Sequence, residues 1–374
     1  MNPLSSLSPS SGAGRLEKTH LRLGFVALSD AAPLVAAKLL EFGHAHGLTL
    51  ELQRQPSWAA VRDKLIAGDL DAAHALYGLV YGVELGIGGP QTDMAVLTVL
   101  NRNGQAITLS NRLADALATH GSLPRALDSL GRNAVFAQTF PTGTHAMWLY
   151  HWLAEQHVHP LRDVDSVAIP PPQMVAALAE DRLDGFCVGE PWNSLAEARG
   201  LGRTIAYTSE IWPDHPEKVL ASRRDFVQRC PNTARALVQT MLEACRWLDD
   251  AGHRHEIADW LARPEYIGIE TALIAARLGN DAADTLALVP NRLPMRFFDN
   301  GRVNYPRADE GAWFITQYAR WGMIDARNDG IEIASRVNQT QLYLDAAARV
   351  GIAISDAASF SFSSPPPSQS ERTR

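Results

Sequence analysis

Two α/β lobes enclosing a ligand cleft are predicted for this chain, on three observations. Its 374 residues exceed a single ordinary domain of about 100 to 200 residues. Short strand-like runs alternate with helix-like runs, an order that builds a mainly parallel sheet flanked by helices. The chain also echoes itself: LIAGDLDAAHA (Leu65 to Ala75) and LAEDRLDGFCV (Leu178 to Val188) each finish a helix, turn, and enter a small-residue strand through Leu-Asp. Each marks the same step in one of two similar lobes.

In chain order, LRLGFVAL (Leu21 to Leu28) reads as a strand, and AAPLVAAKLLEFGHAHG follows as a helix ending near Gly47, whose missing Cβ suits a C-terminal cap. LTLELQRQ is a second strand and SWAAVRDKLIAGDLD a second helix, with Ser57 as N-cap. VLNRNGQAITLSN (Val99 to Asn111) ends a strand at Asn-Gly, where the chain crosses between lobes, and resumes at AITLS. The second lobe then holds NAVFAQTF, TGTHAMWLYHWLAEQ, SVAIPPP and QMVAALAEDR as strand, helix, strand and helix. HPEKVLASRRDF (His215 to Phe226) is read as placing Lys218 in the first turn of a helix, and PNTARALVQTMLEACRWLDDA begins the return to the first lobe. The expected units are tails at 1–18 and 355–374, lobe I over 19–107 and 213–354, and lobe II over 108–212.

With 46% hydrophobic and 20% charged residues the composition is that of a globular protein, and a net charge of −7 argues against a general nucleic-acid binder. The first residues are rich in Ser, Pro and Gly, with neither the apolar run of a secretory signal nor a twin-arginine pair. The expectation is therefore a cytoplasmic protein. Cys187, Cys230 and Cys245 are scattered and odd in number, which suits reduced thiols.

Ligands of such sheets sit beyond the carboxyl ends of the strands, so the strand-to-helix turns carry the candidate site. Trp58 opens the second helix and is either a core residue covering the helix start or an indole N–H donor. Gln105 lies at the crossing and is either a solvated turn residue or an amide aimed into the cleft. His145 follows Thr142, Gly143 and Thr144 at a helix start, where free backbone N–H groups and the helix dipole favour an anion. The alternative is a capping or surface histidine. Lys218 meets the positive end of a helix dipole, so it is either a surface lysine or the partner of an anion. All four can donate hydrogen bonds and none is a carboxylate. Such a set suits a small monovalent anion that only accepts, rather than bicarbonate, whose own proton would face donors.

Other constellations are weak. The pairs His44/His46, His157/His159 and His253/His255 seldom place both rings on one face, so no metal is expected. GVELGIGGP lacks the context of a dinucleotide site, and there is no P-loop, Gly-x-Ser-x-Gly motif or other nucleophile arrangement, so neither a cofactor nor an enzyme is expected. Asp184 and Glu190 in LDGFCVGEPWN are read as structural rather than as an acid pair.

The blocks LGFVALSDAAPLVAAK, SWAAVRDKLIAGDLDAAH, TFPTGTHAMWLYHWLA, IPPPQMVAALAEDRLDGFCVGEPWN and EIWPDHPEKVL resemble the nitrate- and bicarbonate-binding proteins of ABC importers, from about Leu21 to Gly351. The resemblance implies a type II periplasmic-binding-protein-like fold with the anion between the lobes. It also implies that Trp58, Gln105, His145 and Lys218 are the ligand residues. In bicarbonate-binding relatives the lysine position is acidic, so Lys218 points to nitrate or nitrite. Within the family, the NasS-type cytoplasmic sensors match the expected localisation. That branch implies an ANTAR-domain antiterminator (NasT-like) as partner and control of nitrate assimilation as function. The alternative is the substrate-binding protein of a nitrate importer.

Overall fold

A computed structural model of the chain describes residues 14–278, 293–353 and Pro366. Among them run ten strands: β1 His20–Phe25, β2 Thr49–Arg54, β3 Ala72–Leu76, β4 Met94–Arg102, β5 Gln105–Ser110, β6 Val135–Gln138, β7 Asp165–Ala168, β8 Gly185–Gly189, β9 Gly202–Tyr207 and β10 Pro216–Arg223. They form two five-stranded sheets of the same design. The first has the order β2-β1-β3-β10-β4 and the second β7-β6-β8-β5-β9.

In each sheet three parallel strands are followed by one antiparallel crossing strand, β10 or β5, and a strand antiparallel to that. The two echoing segments lead into β3 and β8, which hold the same third position in their sheets. Both are buried along their whole length, as strands covered on both faces must be, and accordingly both lack polar alternation.

Local signals explain the helices. Ser57 Oγ accepts from the Ala60 N–H at the start of the Trp58–Ala67 helix, and Gly68 closes it in the left-handed region at φ 79°. The helix expected up to Gly47 stops at Leu39 instead. Glu41 adopts φ 55° and a short 3-10 segment, Phe42–His46, carries the chain to Gly47. The Pro231–Leu248 helix packs against the Ala32–Leu39 and Thr340–Arg349 helices on lobe I.

Three further expectations need adjustment. HPEKVL is not a helix start: Lys218 lies within β10, hydrogen-bonded between β3 and β4, and is fully buried. Its run of buried neighbours from Pro216 to Ser222 is a central strand rather than the first turn of an amphipathic helix. The first crossing falls at Asn103 and Gly104, both at positive φ (60° and 98°), so Gln105 begins lobe II's sheet and a boundary after residue 107 would cut β5. The expected tails lie outside the described residues except for 14–18 and Pro366. Glu17 is docked, its carboxylate accepting from the Thr233 N–H at 2.9 Å.

The lobes touch. Gly78 and Gly82 lie one turn apart on the Tyr77–Glu84 helix of lobe I. A Cβ on Gly82 would stand 2.1 Å from Thr142 Oγ1 of lobe II, and one on Gly78 2.4 Å from the Thr142 carbonyl oxygen. Only hydrogen at these positions lets the Thr142–Gly143 turn approach. From the returning Ala308–Arg320 helix, Trp313 stacks on Trp148 of lobe II with centroids 4.7 Å apart, and the Tyr318 hydroxyl meets the Thr142 carbonyl at 2.7 Å. Arg102, at the end of β4 before the crossing, makes a buried two-pronged pair with Glu310 at 2.7 and 3.1 Å.

Candidate functional site

All four candidates meet in one buried network where the lobes face each other. Trp58, His145 and Lys218 have no exposed surface and Gln105 only 2%. The Gln105 amide donates to Thr144 Oγ1 at 3.4 Å, and that hydroxyl donates to Glu217 Oε1 at 2.9 Å. Glu217 Oε1 also accepts from Lys218 Nζ, which lies 2.7 Å from Asp30 Oδ2 on its other side. Asp30 Oδ1 in turn bonds His74 Nε2 at 2.8 Å, and the Trp58 ring tilts over His74 with centroids 5.3 Å apart. His145 Nε2 stands 3.6 Å from Glu217 Oε1.

Asp30, Gln105, Thr144 and His145 sit where a strand hands over to a helix or a crossing, whereas His74, Glu217 and Lys218 lie within strands. Asp30 follows β1, His74 lies on β3, and Thr144 and His145 open the Thr144–Glu155 helix after β6. That helix has no side-chain cap at Gly143, which leaves its first N–H groups to other partners. Gly189 ends β8, and a Cβ there would be 3.4 Å from Asp30 Oδ2 and 3.6 Å from His145 Nε2. The glycine keeps open the space onto which both atoms face.

Six polar atoms of the network have no hydrogen bond among the described residues: Trp58 Nε1, His74 Nδ1, His145 Nε2, Gln105 Oε1, Glu217 Oε2 and Asp30 Oδ2, the last in ion-pair contact with Lys218. A buried polar atom without a partner costs about 1 to 3 kcal/mol. A cluster of such atoms is where ordered water, an ion or a polar ligand finds hydrogen-bond partners. When the Thr139 hydroxyl donates to His145 Nδ1, the ring's hydrogen is on Nε2, which then joins Trp58 Nε1 as a donor.

Burial shapes the charges. It pushes His145 well below the usual imidazole range, aided by the positive charge of Lys218. It also lowers His74, despite the bond to Asp30, and His215, to about 3. Burial works against the Lys218 ammonium too, but Asp30 and Glu217 outweigh it and raise its pKa. For Asp30 burial is overcome by Lys218 and His74, which hold the carboxyl ionised. Glu217 goes the other way: burial dominates over Lys218 and lifts it to about 7.

Two features differ from the sequence reading. The set is not free of carboxylates, because Asp30 and Glu217 both flank Lys218. Lys218 is therefore already neutralised, rather than a bare counter-charge. Asp30, His74, Thr144 and Glu217 were missed. Asp30 and Thr144 follow β1 and β6, where the topology rule points, whereas His74 lies in the middle of β3 and Glu217 near the start of β10, where only the strand pairing brings them to the site. Asp184 and Glu190 are structural: Arg132 grips Asp184 at 2.7 and 2.9 Å, and Glu190 accepts from the Ser194 N–H and hydroxyl. No metal-holding group of His, Cys, Asp or Glu is found among the described residues, and no described helix is long and apolar enough to cross a membrane. The three cysteines are free thiols.

The model of the NMT1-like family matches residues 14–262. The chain belongs to this family. It is 34% identical over 363 residues to the nitrate/nitrite binding protein NrtA of Nostoc sp. strain PCC 7120, covering 94% of this chain and 81% of that protein. It is 39% identical over 359 residues to the nitrate import ATP-binding protein NrtC of Synechocystis sp. strain PCC 6803, covering 93% of this chain but only 53% of the relative, about half its length. Among solved structures, the periplasmic nitrate-binding protein NrtA from Synechocystis PCC 6803 superposes with a TM-score of 0.83 at 32% identity, over 94% of this chain and 93% of that one. A periplasmic-binding-protein fold is thereby established, as the resemblance implied.

These findings overturn the expectation of a cytoplasmic sensor acting on an ANTAR-domain antiterminator. The relatives are binding proteins and import components, and the solved NrtA is periplasmic. The cytoplasmic reading rested on the composition of the first residues, which lie outside the described part of the chain and say nothing of what the folded lobes do.

Proposed function

We propose that this chain is the substrate-binding component of a nitrate/nitrite ABC importer, holding one anion between the lobes at Trp58, Gln105, His145 and Lys218. The observation that carries this reading is the pair of buried, unpartnered ring nitrogens, Trp58 Nε1 from lobe I and His145 Nε2 from lobe II, beside a buried ammonium. An anion accepting from both sides links the lobes and favours their closed arrangement. Relatives named for nitrate and nitrite stand beside others, 36 and 37% identical, that are named for bicarbonate transport, so the choice of nitrate or nitrite is supported by the likeness to the solved nitrate-binding NrtA and by Lys218. The membrane components of the importer are the partner under this reading.

Titration calorimetry with nitrate, nitrite and bicarbonate tests it. The expected result is one-to-one binding of nitrate and nitrite, with a dissociation constant on the order of micromolar, about −8 kcal/mol. Binding of bicarbonate without nitrate or nitrite would overturn the reading.

A further inference from the structure

Charge accounting in the buried network leads beyond anion binding. Lys218 is the cation in contact with both Asp30 and Glu217. Facing Glu217 from the surrounding elements are His145 on the helix after β6, His215 before β10, Cys187 on β8 and Asp30 after β1. His74 on β3 lies behind Asp30, and Arg102 acts through His215 while bonded to Glu310. Burial keeps the three imidazoles neutral and the Cys187 thiol protonated at neutral pH. With Glu217 ionised, the contact group carries one positive and two negative charges, a net −1, and a bound nitrate makes it −2. Two uncompensated charges in a water-excluded site are strongly disfavoured.

The geometry shows where relief lies. Glu217 Oε1 is already occupied by Thr144 and Lys218, whereas Oε2 is buried without a hydrogen bond and lies 3.8 Å from His215 Nδ1. When His215 carries its hydrogen on Nδ1, the Pro216 carbonyl 3.1 Å away accepts it, and Glu217 Oε2 is left without a donor. We propose that Glu217 takes up one proton from solvent on Oε2 when the site closes on its anion, so that nitrate or nitrite is captured with an accompanying proton. This rests on the functional reading above. The proton stays on the carboxyl group, no bond to the anion forms or breaks, and the group in contact returns to the charge it had before the anion entered.

A protonated Glu217 also restores the donor-rich character that two carboxylates would otherwise remove. Because burial places the ligand-free carboxyl at about 7, the sign is fixed. Below that pH Glu217 is already protonated and capture takes up little. Above it uptake approaches one proton per anion, and nitrate affinity falls about tenfold per pH unit. His145, held well below the usual range, and His215, at about 3, stay neutral on both sides and do not mimic this.

The test is calorimetry of the full chain with sodium nitrate at about pH 6 and about pH 8, each in two buffers of different ionisation enthalpy, so that proton uptake appears as a buffer-dependent heat. Uptake near zero at the lower pH and near one proton at the higher, abolished by Glu217→Gln, is the expected result. Nitrate binding with no buffer dependence at the higher pH overturns the inference and leaves the functional reading intact. So does a Glu217→Gln variant that still takes up the proton. Absence of nitrate binding at every pH overturns the functional reading, and the inference with it. Should the variant not fold, the buffer series on the unmodified chain decides alone.

Discussion

The two lobes share one topology but bring different chemistry to the place where they meet. Lobe I supplies the charges: Asp30 after β1, and Glu217 and Lys218 side by side on β10, backed by His74 and Trp58. Lobe II supplies neutral groups: Gln105 at the start of β5, Thr144 and His145 at a helix start, and Gly189, whose missing side chain leaves room. A charged half built into one lobe stays internally paired when the lobes separate. The neutral half contributes direction and adds no charge that would repel or hold the lobes irrespective of ligand. The difference shows how a duplicated sheet can be specialised, with the ion pairs kept on one side of the cleft and the closing contacts on the other.

Breaking the charged half should have the largest effect. Lys218→Met removes the ammonium and leaves Asp30 and Glu217 without it in a buried setting. Loss of one partner of a buried pair costs about 3 to 5 kcal/mol, so urea denaturation should register a loss of that size together with loss of nitrate binding. An equal loss from His145→Ala would erase the distinction between the lobes.

Next comes the pH dependence of stability, which isolates Glu217. Its pKa is raised from 4.5 to about 7, so the stability it contributes is present below 4.5 and is lost as pH rises through 7. The size is about 3 kcal/mol at one pKa unit per ~1.4 kcal/mol. His215, lowered from 6.5 to about 3, works in the opposite sense: its contribution is present above 6.5 and lost as pH falls through 3. The two trends overlap, so the quantity to follow is the stability difference between the unmodified chain and Glu217→Gln. That difference should shrink as pH rises from about 5 to about 7.5 and then level off.

The contact between lobes can be sharpened by Gly82→Ala. Within the lobe I helix the change should stabilise by about 1 kcal/mol, because alanine is the better helix former. In the closed arrangement the new methyl collides with Thr142 of lobe II, an overpacking of about 1 to 3 kcal/mol. A variant that melts no lower, yet binds nitrate about tenfold more weakly, would establish that closure passes through this turn. Unchanged affinity would show that it does not.

An effect on affinity at least as large as that of Gly82→Ala, but with the least change in stability, is expected of Trp58→Phe, which keeps the ring over His74 and deletes one donor. A hydrogen bond to a charged group contributes about 1.5 to 3 kcal/mol, so nitrate affinity should fall at least about tenfold with little change in stability.

Much of the fold was legible because the helix caps and strand runs are local features. Ser57 caps its helix as the sequence implied, although the helix stops at Ala67 before Gly68 rather than running on to Asp71, and the Leu-Asp echo marked two equivalent strands. Lys218 was misplaced because PEKVLAS has no period-two alternation. A central strand buried on both faces looks apolar throughout, and one lysine within it resembles a surface residue. The four ligand candidates came into view through strand ends and family resemblance. Asp30 and Glu217 did not, since a carboxylate's role here depends on which residues the sheet places across from it. Only the pairing of β10 with β3, which sets Lys218 opposite Leu76 beside the His74 and Asp30 pair, reveals it.

The central claim is that one anion joins the neutral half to the charged half, and a crystal structure of the full chain grown with nitrate tests it most directly. The account predicts a single nitrate between the lobes, with oxygens within hydrogen-bond distance of both Trp58 Nε1 and His145 Nε2 and beside Lys218. A nitrate bound elsewhere, or touching residues of one lobe alone, would contradict it.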